Sequence, residues 1–349
     1  MKIIHCSDIH LDSPLNSNLS YEKAKVRRRE ILLSFLSLVD YAVENEVRAV
    51  IISGDLFDSN IISSETEKTL FEKISSAENI DFLYLKGNHD LDVKFKTELP
   101  KNFKIFQDEF STFLYDNVCI GGVPIQAENY NNVDFDNQNY NILVMHGNTD
   151  NAADEYYVNL KELKNKNIDY LALGHIHKFS QGKIDKRGVF VQSGCLDGRG
   201  FDECGQKGFV LIDTDKKSFD FIPFSSRLIE EITVDISSAT STLQIISLIE
   251  KATENITAEN IVRVVLCGKI KQDVIKDVLL IKSRFDKNFF SFSLKDNSNY
   301  IYNYEDFKND ISLKGEFIRN ALKSEMSETE RDKVISTVLC ALNSEDLPL

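Results

Sequence analysis

The chain has 349 residues, 42% of them hydrophobic, and a formal net charge of −14 at pH 7. That length exceeds one ordinary core and suits a large domain plus a smaller one, at the apolar content of a folded soluble protein. No run approaches the ~20 apolar residues of a membrane span, and the start shows no basic-then-apolar leader. The six cysteines form no Cys-x-x-Cys pair and read as reduced thiols of a cytoplasmic protein.

From the N-terminus onward, five short apolar runs read as buried strands: 2–4, 49–52, 82–85, 142–145 and 170–173. Each leads directly into polar residues. The groups are Asp8-Ile9-His10, Gly54-Asp55, Gly87-Asn88-His89-Asp90, His146-Gly147 and Gly174-His175-Ile176-His177, and they hold five of the six histidines. The sixth, His5, lies inside the first strand and reads as structural. An open α/β sheet places its site at the carboxyl ends of its strands, where all five groups fall.

Between these runs, 21–46, 63–77 and 158–166 read as helical, as a layered α/β sandwich requires. Arg27-Arg28-Arg29 on the first helix reads as a solvated face, with a phosphate contact as the alternative. Residues 126–141, rich in Asn and Asp, read as a surface loop. Short strands follow at 179–184, 188–192, 208–213 and 218–223. Among them Arg199 and Lys207 stand between glycines, whose backbone lets a ligand approach closely. Substrate binding and a purely structural hairpin both fit that stretch.

After Pro223 the texture changes. Residues 229–235, 241–253, 260–268, 272–284 and 288–295 read as a β-α-β-α-β unit without metal-type residues. It carries Lys269, Lys271, Lys276, Lys282, Arg284 and Lys287. The tail, from about residue 305, reads as an acidic helical segment with a one-sided apolar stripe. That stripe suits packing onto the chain itself or docking to a partner.

The five groups have the chemistry of a phosphoesterase with two divalent cations, one activating water and one stabilising the leaving oxygen. Asp55 is the natural bridging carboxylate. Asp8 and His10 alternate and can face one ion, and His175 and His177 can each serve a different one. Asn88 adds a neutral oxygen. Mixed Asp, His and Asn ligands without thiolate favour Mn²⁺ or Fe²⁺ over a structural zinc. His89, not needed as a ligand, suits proton donation to the leaving oxygen or neutralisation of charge on the phosphate.

This series resembles the calcineurin-like metallophosphoesterase superfamily. Within it, Ser7-Asp8-Ile9-His10-Leu11-Asp12-Ser13-Pro14 resembles the opening of SbcD-type DNA exonucleases, particularly their YhaO-like branch. Residues 193–208 carry that branch's Gly-Arg-x-Phe-x-Glu-x-Gly-x-Lys-Gly pattern. The resemblance implies a layered β-sandwich flanked by helices, with a small α+β cap and a helical C-terminal tail. Its domains would be a metallophosphoesterase domain over 1–225, a capping domain over 226–300 and a helical segment over 301–349. It implies one cation held by Asp8, His10, Asp55 and His177, and a second by Asp55, Asn88, His146 and His175, with His89 on the scissile phosphodiester. The expected activity is a manganese-dependent DNA nuclease of DNA-repair type, exonuclease or endonuclease. Expected partners are DNA, an SMC-type coiled-coil ATPase and a second copy of the chain, with no membrane. A phosphodiesterase or phosphatase for small nucleotides or phosphoproteins stays open, as does a scaffold without turnover. The net charge of −14 is unusual for a DNA binder, because affinity for DNA comes largely from Lys and Arg neutralising phosphates. A local patch or a partner's surface would have to supply them.

Overall fold

A computed structural model of the chain describes residues 1–15, 19–125, 130–271, 274–301, 307 and 309–342. Expectations for 126–129, 272–273, 302–306 and 343–349 lie outside these residues. The chain divides into two compact units, Met1–Leu228 and Ile229–Leu349.

The first unit opens with β1 (Lys2–Cys6), α1 (Tyr21–Glu44), β2 (Ala49–Ser53), α2 (Ser64–Ser76), β3 (Asp81–Leu85) and β4 (Phe103–Ile105). It continues with β5 (Ser111–Tyr115), β6 (Val118–Gly122), β7 (Tyr140–His146), β8 (Tyr170–Gly174), β9 (Ser180–Lys183), β10 (Val189–Gln192), β11 (Gly208–Asp213) and β12 (Ser218–Pro223). Two six-stranded sheets result, in the orders β12-β11-β1-β2-β3-β4 and β5-β6-β7-β8-β10-β9. In the first, β1 to β4 run parallel, β11 pairs antiparallel with β1, and β12 pairs antiparallel with β11. In the second, β6, β7, β8 and β10 run parallel between antiparallel edges.

The layered α/β expectation holds, and its physical basis is the composition of the strands. β2 is Ala-Val-Ile-Ile-Ser and buried throughout, as a parallel strand covered on both faces must be. One face of each sheet fills the space between them, with Ile3, Ile51 and Leu83 meeting Ile120, Ile142, Val144 and Ala172. On the outer face of the first sheet, Tyr41 of α1 packs edge-on against Phe209, and Phe71 of α2 packs at a tilt against Phe103. Both helices start on a serine cap: Ser20 accepts the Lys23 N–H and Ser63 the Thr66 N–H.

Two expectations are corrected here. The helix expected at 158–166 is a run of turns. Asn159 Oδ1 accepts the Lys161 N–H at 3.2 Å, and Asn165 and Asn167 take left-handed φ values of 62° and 59°. Asparagine side chains thus offer the backbone local partners that compete with a helix ladder. Arg27, expected on a solvated face, is fully buried. It forms an ion pair with Asp197 and donates to the Gly198 carbonyl at 2.9 Å. Asp197 also accepts the hydroxyls of Ser34 and Ser226, at 2.7 and 2.8 Å. Of its neighbours, Arg28 donates to the Pro14 carbonyl at 2.8 Å and Arg29 is exposed.

The second unit comprises β13 (Ile229–Asp235), α3 (Thr242–Ala252), β14 (Ile261–Cys267), β15 (Lys269–Lys271), α4 (Val278–Phe285), β16 (Ser291–Asp296), β17 (Asn299–Ile301), α5 (Leu313–Leu322) and α6 (Glu328–Leu342). β13, β14 and β16 form a parallel sheet over a core that includes Ile245, Ile249, Val264, Leu266, Ile281 and Phe285. α4 starts later than the pattern suggests, where Asp277 caps the Leu280 N–H at 2.9 Å. In the tail, Ile318 and Ala321 of α5 pack with Ile335 and Leu339 of α6, which gives part of the apolar stripe a partner within the chain. Among the described residues no helix is long and apolar enough to cross a membrane.

Candidate metal centre

The five polar groups meet at the carboxyl edges of β1, β2, β3, β7 and β8, where the two sheets face each other. The chain kinks sharply there. Asp8, His10, Asp55 and His175 have φ of 52°, 49°, 50° and 89°, a region that costs non-glycine residues energy and clusters at functional sites. The kinks turn side chains off the strand axes into one space. Two glycines keep that space open: a Cβ on Gly54 would run into the His146 ring, and one on Gly87 into the Asp55 carboxylate.

Cross-links hold the loops together. The His175 N–H donates to both Asp8 oxygens, at 3.0 and 3.1 Å, tying the second sheet to the first. Asp90 accepts the Phe57 and Gly87 N–H groups at 3.1 and 2.8 Å, joining the loops after β2 and β3. Burial and then the charge of Asp55 raise the Asp90 carboxyl above its ordinary range.

The seven expected ligands fall into two groups that share one atom. His10 Nε2 and His177 Nε2 face each other at 3.3 Å, and His177 Nε2 lies 3.6 Å from Asp8 Oδ1. Asn88 Oδ1 lies 2.9 Å from His146 Nε2 and 3.3 Å from His175 Nδ1. Between the groups stands Asp55 Oδ2, 3.7 Å from His10 Nε2 and 3.4 Å from His146 Nε2. Its other oxygen accepts the His89 N–H at 2.9 Å, which fixes the rotamer.

The opposite nitrogens of His146 and His177 are hydrogen-bonded to oxygens, and those of His10 and His175 have a carboxylate nearby. His146 Nδ1 donates to the Ser53 carbonyl at 2.9 Å, and His177 Nδ1 meets Glu203 Oε1 at 2.7 Å. His10 Nδ1 lies 3.1 Å from Asp58 Oδ1, and His175 Nε2 lies 3.8 Å from Asp154 Oδ2. Outer acceptors such as those of His146 and His177 fix tautomer and ring orientation in metal-ligating histidines.

The charges follow from this geometry. Burial opposes a charged His146, but the hydrogen bond and charge of Asp55 outweigh it and push the ring up to about 9. Burial likewise opposes charge on His177, and Asp8 and Glu203 push it up to about 10. Glu203, despite burial, is drawn down to about 2 by His177 and Arg199. Burial lowers His10 and His175. His5 is also buried, lowered to about 3, and its ring nitrogens meet Tyr170 Oη and Ser53 Oγ, both at 2.9 Å. It is a neutral structural histidine.

His89 is exposed at the rim, its ring 4.8 Å from that of His10. A backbone carbonyl only accepts, so His89 Nδ1 donates to Asp58 O at 3.1 Å, and Nε2 is the ring's other nitrogen. Arg199 and Lys207, for which substrate binding and a structural hairpin both stood open, make contacts within the chain. The Arg199 guanidinium reaches Asp58 and Glu203, and Lys207 Nζ donates to the His177 carbonyl at 2.6 Å. Glu203, Asp58 and Asp154 were not singled out from the sequence. Glu203 was within reach, since it is the Glu of the Gly-Arg-x-Phe-x-Glu pattern. Asp58 and Asp154 had no comparable signal.

A metal fits these residues. Asp8 and Asp55 are buried, and among the described residues neither forms an ion pair with Lys or Arg. Buried carboxylates need compensating charge. The donors are carboxylate, amide oxygen and imidazole at mutual distances suited to a shared cation, with no thiolate. Asp8, His10 and His177 form one cluster with metal-ligand spacing, and Asp8, Asp55 and His146 another.

Comparison with known proteins agrees with this geometry. The family model described as calcineurin-like phosphoesterase matches residues 1–179. The chain is 26% identical to the DNA double-strand break repair protein Mre11 of Sulfolobus acidocaldarius, over 94% of its own length and 87% of that protein's. It is 27% identical to the uncharacterized metallophosphoesterase YhaO of Bacillus subtilis, over 72% of this chain and 67% of that protein. A second Mre11, from Methanococcus maripaludis, is 28% identical over 61% of this chain and 63% of its own length.

Proposed function

Because the chain belongs to the calcineurin-like phosphoesterase family and is a metal-dependent phosphoesterase, we propose that it hydrolyses phosphodiester bonds of DNA at two divalent cations, manganese by preference. The observation that carries the two-cation reading is Asp55 Oδ2, which faces His10 Nε2 at 3.7 Å and His146 Nε2 at 3.4 Å. One oxygen so placed can serve both halves of the centre.

In this reading Asp8, His10, Asp55 and His177 hold one cation, and Asp55, Asn88, His146 and His175 the other. When bound, such a pair supplies Lewis acidity toward phosphoryl oxygens and lowers the pKa of water. The chain's own residues do the positioning. His89, with Nδ1 held by the Asp58 carbonyl, presents Nε2 to the leaving oxygen and donates a proton when the ring is charged. A donor set without thiolate supports manganese or iron over structural zinc.

DNA as substrate is supported by the similarity to the two Mre11 proteins. The charge of −14 demands a local basic surface or a partner. In the second unit Lys269, Lys271, Lys282, Arg284 and Lys287 are exposed. That unit as cap, an SMC-type ATPase as partner, a homodimer and a cytoplasmic setting complete the proposal. The same charge favours the second reading, a phosphodiesterase or phosphatase for small phosphate esters.

The deciding assay gives metal-stripped protein Mn²⁺ and offers it linear double-stranded DNA, single-stranded DNA and bis(p-nitrophenyl) phosphate. DNA cleavage that depends on Mn²⁺ supports the nuclease. Cleavage of the dye ester alone, with no DNA cut at any ionic strength tried, replaces it with the small-ester reading.

A further inference from the structure

We infer that Arg199 is a positioning residue for the His10 and His177 half of the metal centre, acting through Asp58 and Glu203, an inference that rests on the two-cation reading above. The side chains form a circuit of close contacts, hydrogen-bonded throughout except for the approach of Asp58 to His10. Arg199 Nη1 donates to Asp58 Oδ1 at 2.6 Å, and Asp58 Oδ1 lies 3.1 Å from His10 Nδ1. On the other side, Arg199 Nη2 and Nε donate to Glu203 Oε1 at 3.0 and 3.3 Å, and Glu203 Oε1 lies 2.7 Å from His177 Nδ1. The inner nitrogens of the two rings then face each other at 3.3 Å. One guanidinium therefore sets the spacing of two carboxylates, and the carboxylates set the orientation of two imidazoles.

Three further contacts make the circuit specific. Glu203 Oε2 accepts the Arg199 backbone N–H at 2.7 Å, so arginine and glutamate grip each other from both ends. Lys207 Nζ holds the His177 carbonyl at 2.6 Å, fixing the backbone beneath that ring. The Asp58 carbonyl accepts from His89 Nδ1 at 3.1 Å, so what holds Asp58 also aims His89. All three guanidinium nitrogens are engaged, and the side chain is only 17% exposed. A planar fork can span two carboxylates in fixed geometry; an ammonium, a point charge on a flexible stem, cannot.

The other half of the centre is built differently. His146 is oriented by the Ser53 carbonyl, and Asn88 Oδ1 is met by His146 and His175. No contact of Arg199 reaches these groups directly. Loss of Arg199 should therefore weaken one cation site and spare the other, which a general loss of folding would not do.

The test is calorimetric titration of metal-stripped full-length protein with MnCl₂, for the wild type, Arg199→Lys and Glu203→Gln, with thermal unfolding of each metal-free protein alongside. The wild type should bind two equivalents. Both variants should bind one equivalent with unchanged affinity and the other ~10–100-fold more weakly, the usual cost of removing an outer partner of a metal ligand. Arg199→Lys keeps the charge, so restoration of both sites by lysine would overturn the fork argument. Two unchanged equivalents with a raised KM for DNA would overturn the inference in favour of a substrate contact. Equal weakening of both equivalents would overturn it as a folding effect. If the wild type binds fewer than two equivalents, the two-cation reading itself fails, and the inference with it.

Discussion

Glu203 Oε1 lies 2.7 Å from His177 Nδ1, tying the last histidine of the metal centre to a carboxylate from the loop that precedes β11. The pair is an ion pair in the metal-free protein, with the ring pushed up to about 10 by Asp8 and Glu203 against the effect of burial. It also presents His177 Nε2 inward. Glu203→Gln keeps the shape and removes the charge. Its phosphoesterase activity at limiting Mn²⁺ should fall and recover as Mn²⁺ is raised, since the defect is in metal affinity. A loss that no Mn²⁺ concentration repairs would contradict this placement.

Metal loading should be strongly pH-dependent. His146, raised to about 9, and His177, raised to about 10, both hold protons at neutral pH in the metal-free protein. A cation must displace them, so binding releases protons and strengthens as pH rises. The stability of the metal-free protein runs the other way. A folded-state pKa above the unfolded value of 6.5 stabilises fully below that value, and this is lost as pH rises through about 9 and 10. The Tm gain on adding Mn²⁺ should therefore widen between pH 6 and pH 9. A constant gain across that range would mean that these rings do not compete with the metal.

His89→Gln should separate proton donation from metal binding. His89 touches Asp58 O and the Asp55 carboxylate only through Nδ1 and its backbone N–H, and the backbone contact survives substitution. Mn²⁺ stoichiometry should stay the same while DNA cleavage drops ~10²–10⁴-fold, the range for a positioned general acid. A nitrophenolate leaves without protonation, so bis(p-nitrophenyl) phosphate should be affected far less. Equal losses on both substrates would falsify the acid role.

Arg27 and Asp197 make a stability prediction remote from chemistry. Both side chains are fully buried in their ion pair. Arg27→Met strands a buried carboxylate and should cost ~3–5 kcal/mol, seen as a lower urea midpoint, whereas Arg27→Met with Asp197→Leu should recover much of it. If the double variant is no more stable than the single one, the hydroxyls of Ser34 and Ser226 on Asp197 matter more than the charge pair.

What the sequence could show was local. An apolar run followed by Asp-x-His, Gly-Asp, Gly-Asn-His or His-x-His carries its meaning within ten residues, because a ligand at a strand end needs only the strand beneath it. The strands β1, β2, β3, β7 and β8 and the candidate ligands at their ends were legible for that reason, whereas their division between two cations rested on the family resemblance alone. The run 158–166 misled because its asparagines form local turns that periodicity does not register.

The tertiary structure alone decided which charges meet. Arg27 reads on paper as one of three solvated arginines, yet its partner is Asp197, 170 residues away. Arg199 reads equally as a substrate contact or as part of a structural hairpin in a glycine-rich loop, and its guanidinium lies on Asp58, 141 residues earlier. A charged side chain has no sequence period that reveals its partner. Whether it faces water, substrate or another charge is set by the folded backbone that brings distant loops within 3 Å, and here that packing converts a string of candidate ligands into a braced site.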